Sequence, residues 1–263
     1  RAADINLDLV AGGRLDLAAD LRDALAEWTP ALPPHVLGDG GIHKRWHHSG
    51  YPAVCPALQH VKLTQAGEEV DKMLPEGVGA SLRESWEAIA ADARQVNFEG
   101  DAWPNIIQGE TWQKLVVYTN NMGWSVESCK VMPTVCALLR GRLRTEVPGV
   151  MFQPGKKGWR TLAGADEEVT LFKLKPRSVV PLHAGTAIRV NTQLCLLNCE
   201  GAHLEAGDAR EPYKPGHLVS FSDDALHGAE NCAEHTSRVM LTVGTLHPEL
   251  TPEHRPCPEA EAQ

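Results

Sequence analysis

The sequence contains no long apolar run, no excess of basic residues and no Cys-x-x-Cys pair. No apolar stretch of about 18 residues occurs along its 263 residues, so we predict no membrane span. Acidic residues outnumber basic residues by 34 to 25, which argues against a nucleic-acid partner. The seven cysteines include no Cys-x-x-Cys pair, which argues against a zinc ribbon.

Apolar residues, at 43% of the chain, suffice for one well-buried core. We expect one large domain, or one domain with an added helical lobe. The composition predicts a largely helical and loop region packed on the core (1–100), a core domain (101–252) and a loose tail (253–263). Because the chain begins with Arg1 and not with Met, we expect a truncated or processed form.

Two segments in the first hundred residues have the spacing of amphipathic helices. In LDLAADLRDALAEW, residues 15–28, apolar side chains recur with a period of 3.6. The same pattern recurs in SLRESWEAIAADAR, residues 81–94. Ser81 is predicted to be the N-cap of this helix, with Glu84 completing a capping box.

Short strands dominate after residue 168, separated by turns rich in Gly, Pro and Asn. The predicted strands are EVTLFKL, SVVPLHA, IRVNTQLCLL, HLVSFSD and RVMLTVGTL. In the third of them, Arg189, Asn191, Gln193 and Cys195 alternate with apolar residues and Thr192 on the opposite face. Many short strands at regular spacing predict a sandwich or a jelly roll.

Three residues at strand boundaries carry the candidate chemistry: His183, His227 and Arg238. In a jelly roll, strand ends can converge at the mouth of the barrel, where small ligands bind. Imidazoles from two strands suit a divalent transition metal, and a guanidinium suits a carboxylate. Iron(II) with a 2-oxoacid needs both. Each residue taken singly is more often an ordinary polar group at a strand end, so only the ordered set of three favours a site.

The second residue after His183 is Gly185, where many iron sites have Asp or Glu. The residues alone therefore leave two interpretations open. One is a metal site that lacks a carboxylate ligand, and the other is the absence of any metal site.

Three C-terminal segments, PLHAGTAIRVNTQLCL, GHLVSFSDDALHGAEN and SRVMLTVGTLHPEL, together resemble the aspartyl/asparaginyl β-hydroxylase family. Upstream, GETWQKLVVY and CKVMPTVC are similar to segments of the same family, so the resemblance covers roughly residues 105–252. These proteins are iron(II)- and 2-oxoglutarate-dependent oxygenases. The resemblance implies a mainly β fold, with a double-stranded β-helix (jelly-roll, cupin-like) core and flanking N-terminal helices.

The resemblance also implies roles for the metal and co-substrate residues. His183 and His227 would hold the iron without a carboxylate ligand, since Gly185 matches the glycine that the family has at this position. Arg238 would hold the distal carboxylate of 2-oxoglutarate. From its position alone, Asp223, four residues before His227, is predicted either to orient a ligand imidazole or to be an ordinary turn residue.

The resemblance also implies a substrate-binding residue and a disulfide, and it shows positions where this sequence differs from the family. Arg189 matches an arginine that contacts the acidic side chain of the substrate in the animal enzymes. Asn191 and Gln193 replace an arginine and a histidine that contact substrate and the near carboxylate of 2-oxoglutarate. Phe172 stands where the family has a serine. A disulfide between Cys129 and Cys136 is implied by the animal members.

These roles imply a dioxygenase that uses Fe(II), 2-oxoglutarate and dioxygen to hydroxylate an unactivated carbon. The expected target is the β-carbon of Asp or Asn in a peptide, a protein or a related small molecule, so the partner would carry an acidic or amide side chain. Three alternatives stay open: a non-catalytic cupin-like metal- or ligand-binding module, an inactive scaffold, and an iron halogenase-like variant. Localisation also stays open, since a Cys129–Cys136 disulfide fits a secretory lumen and free thiols fit the cytoplasm.

Overall fold

The computed structural model describes the strand-rich half of the chain and the helices that pack on it. The described residues are 54–55, 61–98, 112–120, 122–146, 167–183, 189–207, 209–223, 225–250 and 255–256. The predicted helix at residues 15–28 and Gly185 lie outside these residues.

Five helices occur in the described part of the chain. They are α1 Gly67–Met73, α2 Val78–Glu84, α3 Trp86–Ala93, α4 Val126–Val131 and α5 Pro133–Leu139. None of these helices is long and apolar enough to cross a membrane.

The predicted helix at residues 81–94 is wrong in its start and in its continuity. The segment forms α2 and α3, which meet at Ser85, where the backbone leaves helical geometry. Ser81 lies inside α2 and is not its N-cap, because its hydroxyl donates 2.9 Å back to the carbonyl of Gly77. Gly77 itself begins the helix with a φ of +70°, a conformation that glycine adopts without strain.

The strands account for most of the remaining described residues. They are β1 Val54–Cys55, β2 Trp112–Thr119, β3 Gly123–Trp124, β4 Glu168–Leu174, β5 Ser178–His183, β6 Arg189–Leu197, β7 Ala202–Ala206, β8 Ala209–Pro212, β9 Leu218–Ser222, β10 His227–Asn231, β11 Arg238–Leu246 and β12 Arg255–Pro256. The five predicted strands correspond to β4, β5, β6, β9 and β11. Strand β12, in the segment predicted to be loose, pairs with β1.

Apart from the two-stranded β1–β12 sheet, the strands form two antiparallel sheets that face each other. A six-stranded sheet has the order β3-β2-β4-β11-β6-β9, and a four-stranded sheet has the order β5-β10-β7-β8. Along the chain from β4 to β11, the path alternates between the two sheets, with the β7–β8 hairpin in the smaller one. This order is that of a double-stranded β-helix, so the predicted fold class is confirmed.

The six-stranded sheet is buried on both faces. Leu194 and Leu196 of β6 belong to the apolar cluster that also contains Leu82 and Ile89 of the helices. Cys195, which alternates with them, belongs to a second cluster between the two sheets. The helices therefore cover the outer face, and the inner face is left to line the barrel interior.

Candidate active site

The two predicted metal histidines occupy opposite positions on neighbouring strands. His227 begins β10, and its Cα partner on β5 is His183. Directly opposite residues of an antiparallel pair have Cβ atoms about 4.5–5.5 Å apart. The register therefore brings together two positions that are 44 residues apart in the sequence, as one divalent ion would require.

The imidazole of His227 is held in one orientation by its surroundings. The side chain is buried, and its ring centroid lies 4.8 Å from that of Phe221. Its Nδ1 lies 2.7 Å from the carbonyl of Ala225. Because a carbonyl only accepts, Nδ1 carries the proton and Nε2 carries the lone pair that a metal would take. The orienting contact at His227 Nδ1 thus comes from a backbone carbonyl.

Arg238 is a fully buried cation at the start of β11. Among the described residues, no hydrogen-bond partner is found for any of its three guanidinium nitrogens. Its Cζ lies 4.7 Å from the centroid of the Tyr213 ring. Burial lowers the pKa of Arg238, and the neighbouring Tyr213 opposes this shift. A buried guanidinium without an acceptor is costly, and a ligand carboxylate would supply two acceptors.

Tyr213 also connects Arg238 to a second predicted co-substrate residue. Its hydroxyl donates 2.5 Å to Oε1 of Gln193, which fixes the amide so that Nε2 is the group left to donate. Burial raises the pKa of Tyr213 to about 12, so the phenol is a neutral donor at ordinary pH. Sequence reasoning missed Tyr213, because nothing in the turn EPYKPG distinguishes it from an ordinary apolar residue.

A second polar cluster surrounds Arg189, and we call Glu168, Arg189, Asn191 and Asp223 the mouth cluster. Arg189 Nη2 lies 3.1 Å from Glu168 Oε1, and Arg189 Nε lies 3.5 Å from Asp223 Oδ2. The other oxygen of Asp223 accepts from Asn191 Nδ2 at 2.5 Å. All four residues are largely buried. Glu168 was not predicted as a site residue, because it reaches the cluster only through strand pairing.

Strand register gives the order of these groups along the barrel. On β6, Arg189, Asn191 and Gln193 follow one another on the inner face, and Asn191 pairs with Phe221, the residue that contacts His227. Six residues along β11 separate Gly244, opposite Asn191, from Arg238, which is about 20 Å of strand. The mouth cluster therefore lies at one end, Gln193 in the middle and Arg238 at the far end.

Two further sequence predictions concern a disulfide outside the barrel interior and an aromatic residue within it. Cys129 and Cys136 form a disulfide that joins α4 to α5 on the helical side of the larger sheet. Phe172, where the family has a serine, stacks on Trp112 with ring centroids 5.1 Å apart. An aromatic contact thus occupies the place of a hydroxyl in the barrel interior.

The fold and this arrangement define a double-stranded β-helix protein with a histidine pair and a buried arginine in its interior. A family model described as Aspartyl/Asparaginyl beta-hydroxylase matches residues 83–248, and the chain belongs to that family. Membership supports an oxygenase-type hydroxylase that depends on iron(II) and 2-oxoglutarate. No curated protein sequence matches the chain.

Solved structures are similar to this chain at low sequence identity and with low TM-scores. A 2OG-Fe(II) oxygenase family oxidoreductase of Burkholderia pseudomallei is 14% identical, covering 63% of this chain and 79% of its own, with a TM-score of 0.40. The dioxygenase for auxin oxidation 1 of Arabidopsis thaliana, in complex with 2-oxoglutarate, is 12% identical, covering 70% and 87%, with a TM-score of 0.38. A cupin 2 domain-containing protein of Halorhodospira halophila is 17% identical, covering 38% and 64%, with a TM-score of 0.27.

Proposed function

We propose that the protein is an iron(II)- and 2-oxoglutarate-dependent dioxygenase that hydroxylates an unactivated carbon of a substrate bearing an acidic or amide side chain. The target in this proposal is the β-carbon of Asp or Asn in a peptide, a protein or a related small molecule. The observation that carries the proposal is the cross-strand pairing of His183 with His227. When bound, iron and 2-oxoglutarate supply the oxidising power that transfers one oxygen atom of dioxygen to a C–H bond.

The donor set of the barrel fits this cofactor and co-substrate. Two histidines suit iron(II), and His227 already has the tautomer that a metal ligand needs. Arg238 is a buried cation without a hydrogen-bond partner among the described residues, which is the environment that a dicarboxylate would complete. In our proposal His183 and His227 hold the iron, and no protein carboxylate joins them because Gly185 takes that position.

The protein's own contribution is to bind and orient the co-substrate. Arg238 holds its distal carboxylate, while Gln193 donates from the middle of the barrel toward its other end. Asn191 Nδ2 donates to Asp223 Oδ1 in the mouth cluster. Phe221, Met240 and other apolar residues of the inner cluster exclude water from the space between these groups. Arg189, at the mouth, belongs to the substrate end.

The proposal is tested by measuring succinate formed from 2-oxoglutarate, with iron(II) and ascorbate, together with iron affinity. We expect His183→Ala and His227→Ala to lower both by about a hundredfold or more, because each removes a ligand from a site with only two protein ligands. His235→Ala is the matched control, since His235 is 85% exposed.

Each alternative gives a different result in the same experiment. A cupin-like binding module would bind the metal in a histidine-dependent way and form no succinate. An inactive scaffold would show equal iron affinity in the wild type and both variants. A halogenase-like enzyme would form chloride-dependent products.

A further inference from the structure

We infer that the mouth cluster recognises a substrate group that donates hydrogen bonds and carries no negative charge, such as an amide or a cation, and that it disfavours a carboxylate. The inference rests on the proposed function, because it concerns the substrate end of the same site. That proposal allows substrates with an acidic or an amide side chain. The inference favours the amide, or a cation, and disfavours the acid.

The first supporting observation is the charge balance of the cluster. Arg189, the cation expected to meet an acidic side chain, already faces two carboxylates, Glu168 at 3.1 Å and Asp223 at 3.5 Å. One positive and two negative groups leave these residues with an acidic balance. Their side chains are only 11%, 16% and 5% exposed, so bulk water screens these charges little. A carboxylate entering here would meet an arginine that is already neutralised.

The second observation is the kind of hydrogen-bonding group that the cluster leaves over. Asn191 Oδ1 and Asp223 Oδ2 are buried, and neither accepts a hydrogen bond among the described residues, although Asp223 Oδ2 forms an ion pair with Arg189 Nε at 3.5 Å. The orientation of the Asn191 amide is fixed, because its Nδ2 donates to Asp223 Oδ1 and a carboxylate only accepts. Both leftover atoms are therefore acceptors. Buried acceptors favour a ligand with N–H groups and disfavour one that brings further acceptors.

Gly244 makes this arrangement possible. It lies between Glu168 and Asn191 in the same row of the sheet. A Cβ at this position would come within 2.9 Å of Arg189 Cδ and 3.0 Å of Asn191 Oδ1. The missing side chain lets Arg189 cross β11 and reach Glu168, so the pairing of Arg189 with a carboxylate is built into the sheet.

The selectivity can be measured without knowing the natural substrate. Protein loaded with Mn(II) and 2-oxoglutarate, without oxygen, is mixed with Gly-X-Gly peptides in which X is Asn, Lys, Asp or Gly. Paramagnetic Mn(II) broadens the NMR lines of peptides that approach it, even when binding is weak, and Zn(II)-loaded protein gives the diamagnetic baseline. We expect the Asn or Lys peptide to be broadened about tenfold more than the Asp peptide.

Variants of the cluster provide the matched comparison. Glu168→Gln releases Arg189 from one carboxylate, so we expect broadening of the Asp peptide to rise about tenfold. Glu127→Gln, which changes an exposed acid far from the cluster, leaves the ranking unchanged. Comparing the broadening of the Asn peptide with that of the Lys peptide shows whether the cluster prefers an amide or a cation.

The inference is overturned if the Asp peptide is broadened most by wild-type protein, or if all four peptides are broadened equally. The wild-type ranking decides this even if a variant fails to fold. The lines of 2-oxoglutarate itself report on the proposed function. If they are not broadened, the proposed function fails, and the inference that rests on it fails too. If they are broadened while the peptides rank otherwise, the inference alone fails.

Discussion

The polar residues of the barrel interior fall into two groups: some have a hydrogen-bond partner in the protein, and others have none among the described residues. Gln193 and Tyr213 satisfy each other, whereas Arg238 has no hydrogen-bond partner among the residues that the structure describes. Natural proteins rarely leave buried polar groups unpaired, so such a group calls for a ligand as its explanation. The same reasoning separates the mouth cluster, which is rich in acceptors, from the far end, which offers donors.

Tyr213→Phe tests how the Gln193 amide in the middle of the barrel is held. Removing the hydroxyl leaves Gln193 Oε1 without its partner, so the amide is free to turn away from 2-oxoglutarate. We expect the dissociation constant for 2-oxoglutarate in the Mn(II) form to rise about tenfold, the usual effect of one buried hydrogen bond. Calorimetry measures it. Tyr118→Phe is the control, because its hydroxyl bonds Thr145 on the helical side; an equal effect there would contradict a local role for Tyr213.

The face on which a residue lies could be predicted from the sequence where a strand pattern determines it. It could not be predicted where tertiary pairing determines it. The alternation in β6 put Arg189, Asn191 and Gln193 on one face, and the structure places them on the face that lines the barrel. Glu168 enters the site only through pairing with β11, and Tyr213, in the turn after β8, reaches Gln193 only in the folded barrel. No local pattern marks such positions. The partners of Arg189 could not be predicted from the sequence either, because they come from β4 and from the end of β9.

At the scale of elements, β11 has the central place in the fold. All nine of its residues are buried, since it lies between β4 and β6 and is covered on both faces. Its last residue is tied to the start of β4 through Glu167. That carboxylate accepts from the backbone N–H of Leu246 at 3.1 Å and from the N–H and hydroxyl of Thr145 at 2.8 and 2.7 Å.

Glu167→Gln tests this junction. An amide would place an NH₂ group where an oxygen now accepts from an N–H, so we expect a loss of about 1–3 kcal/mol in the free energy of unfolding. Burial raises the pKa of Glu167, so the folded protein holds this proton more tightly than the unfolded chain. The stability that this group contributes is present at low pH and is lost as pH rises from the ordinary glutamate pKa through the raised value; the variant lacks this component.

Urea unfolding from pH 4 to 8 measures both effects of Glu167→Gln. Glu127→Gln is the control, because Glu127 is exposed and pairs only with Lys130 across one helical turn. We expect it to change stability by about 0–0.5 kcal/mol. Equal losses in the two variants would contradict the role given to Glu167.

Elements themselves were predicted with uneven success, for identifiable reasons. The strands were found because alternation and turn residues are local signals. The helix at residues 81–94 was misjudged because Ser81 and Glu84 have the spacing of a capping box, while the actual start is set by the positive φ of Gly77. A serine whose hydroxyl bonds backward within the helix cannot be told from a cap by sequence alone.

For the molecule as a whole, we expect the buried guanidinium of Arg238, which has no hydrogen-bond partner among the described residues, to lower stability until a ligand binds. Replacing a buried charge by an apolar side chain of similar size is often stabilising by about 1–4 kcal/mol. We therefore expect Arg238→Met to unfold at higher urea concentration than wild type when no ligand is present. Wild type should gain about 2.7 kcal/mol from 2-oxoglutarate at 100 times its dissociation constant in the Mn(II) form, and the variant should gain nothing.

Arg177→Met is the control for Arg238→Met, because Arg177 is exposed and pairs with the exposed Glu234. It should change stability by no more than about 0.5 kcal/mol and keep the full gain from 2-oxoglutarate. If Arg238→Met retained that gain, the guanidinium would not be the anchor of the co-substrate.

The overall architecture was predictable as a class, while its strand order was not. Regular short strands indicate a jelly roll, but alternation between two sheets depends on pairings between residues far apart in the chain. The pairing of β12 with β1 shows the same limit, since it joins residues 54–55 to residues 255–256. Nothing in either two-residue strand predicts its partner.

Strand β11 runs past both ends of the site, with Arg238 as its first residue and Gly244 as its seventh. About 20 Å of rigid extended chain keeps these two positions apart. We therefore expect a mutation at one position to leave the geometry of the other intact. Such a scaffold can acquire new substrates during evolution while its oxidative chemistry is inherited unchanged, and enzyme engineers can use the same independence by varying only the rim around Gly244.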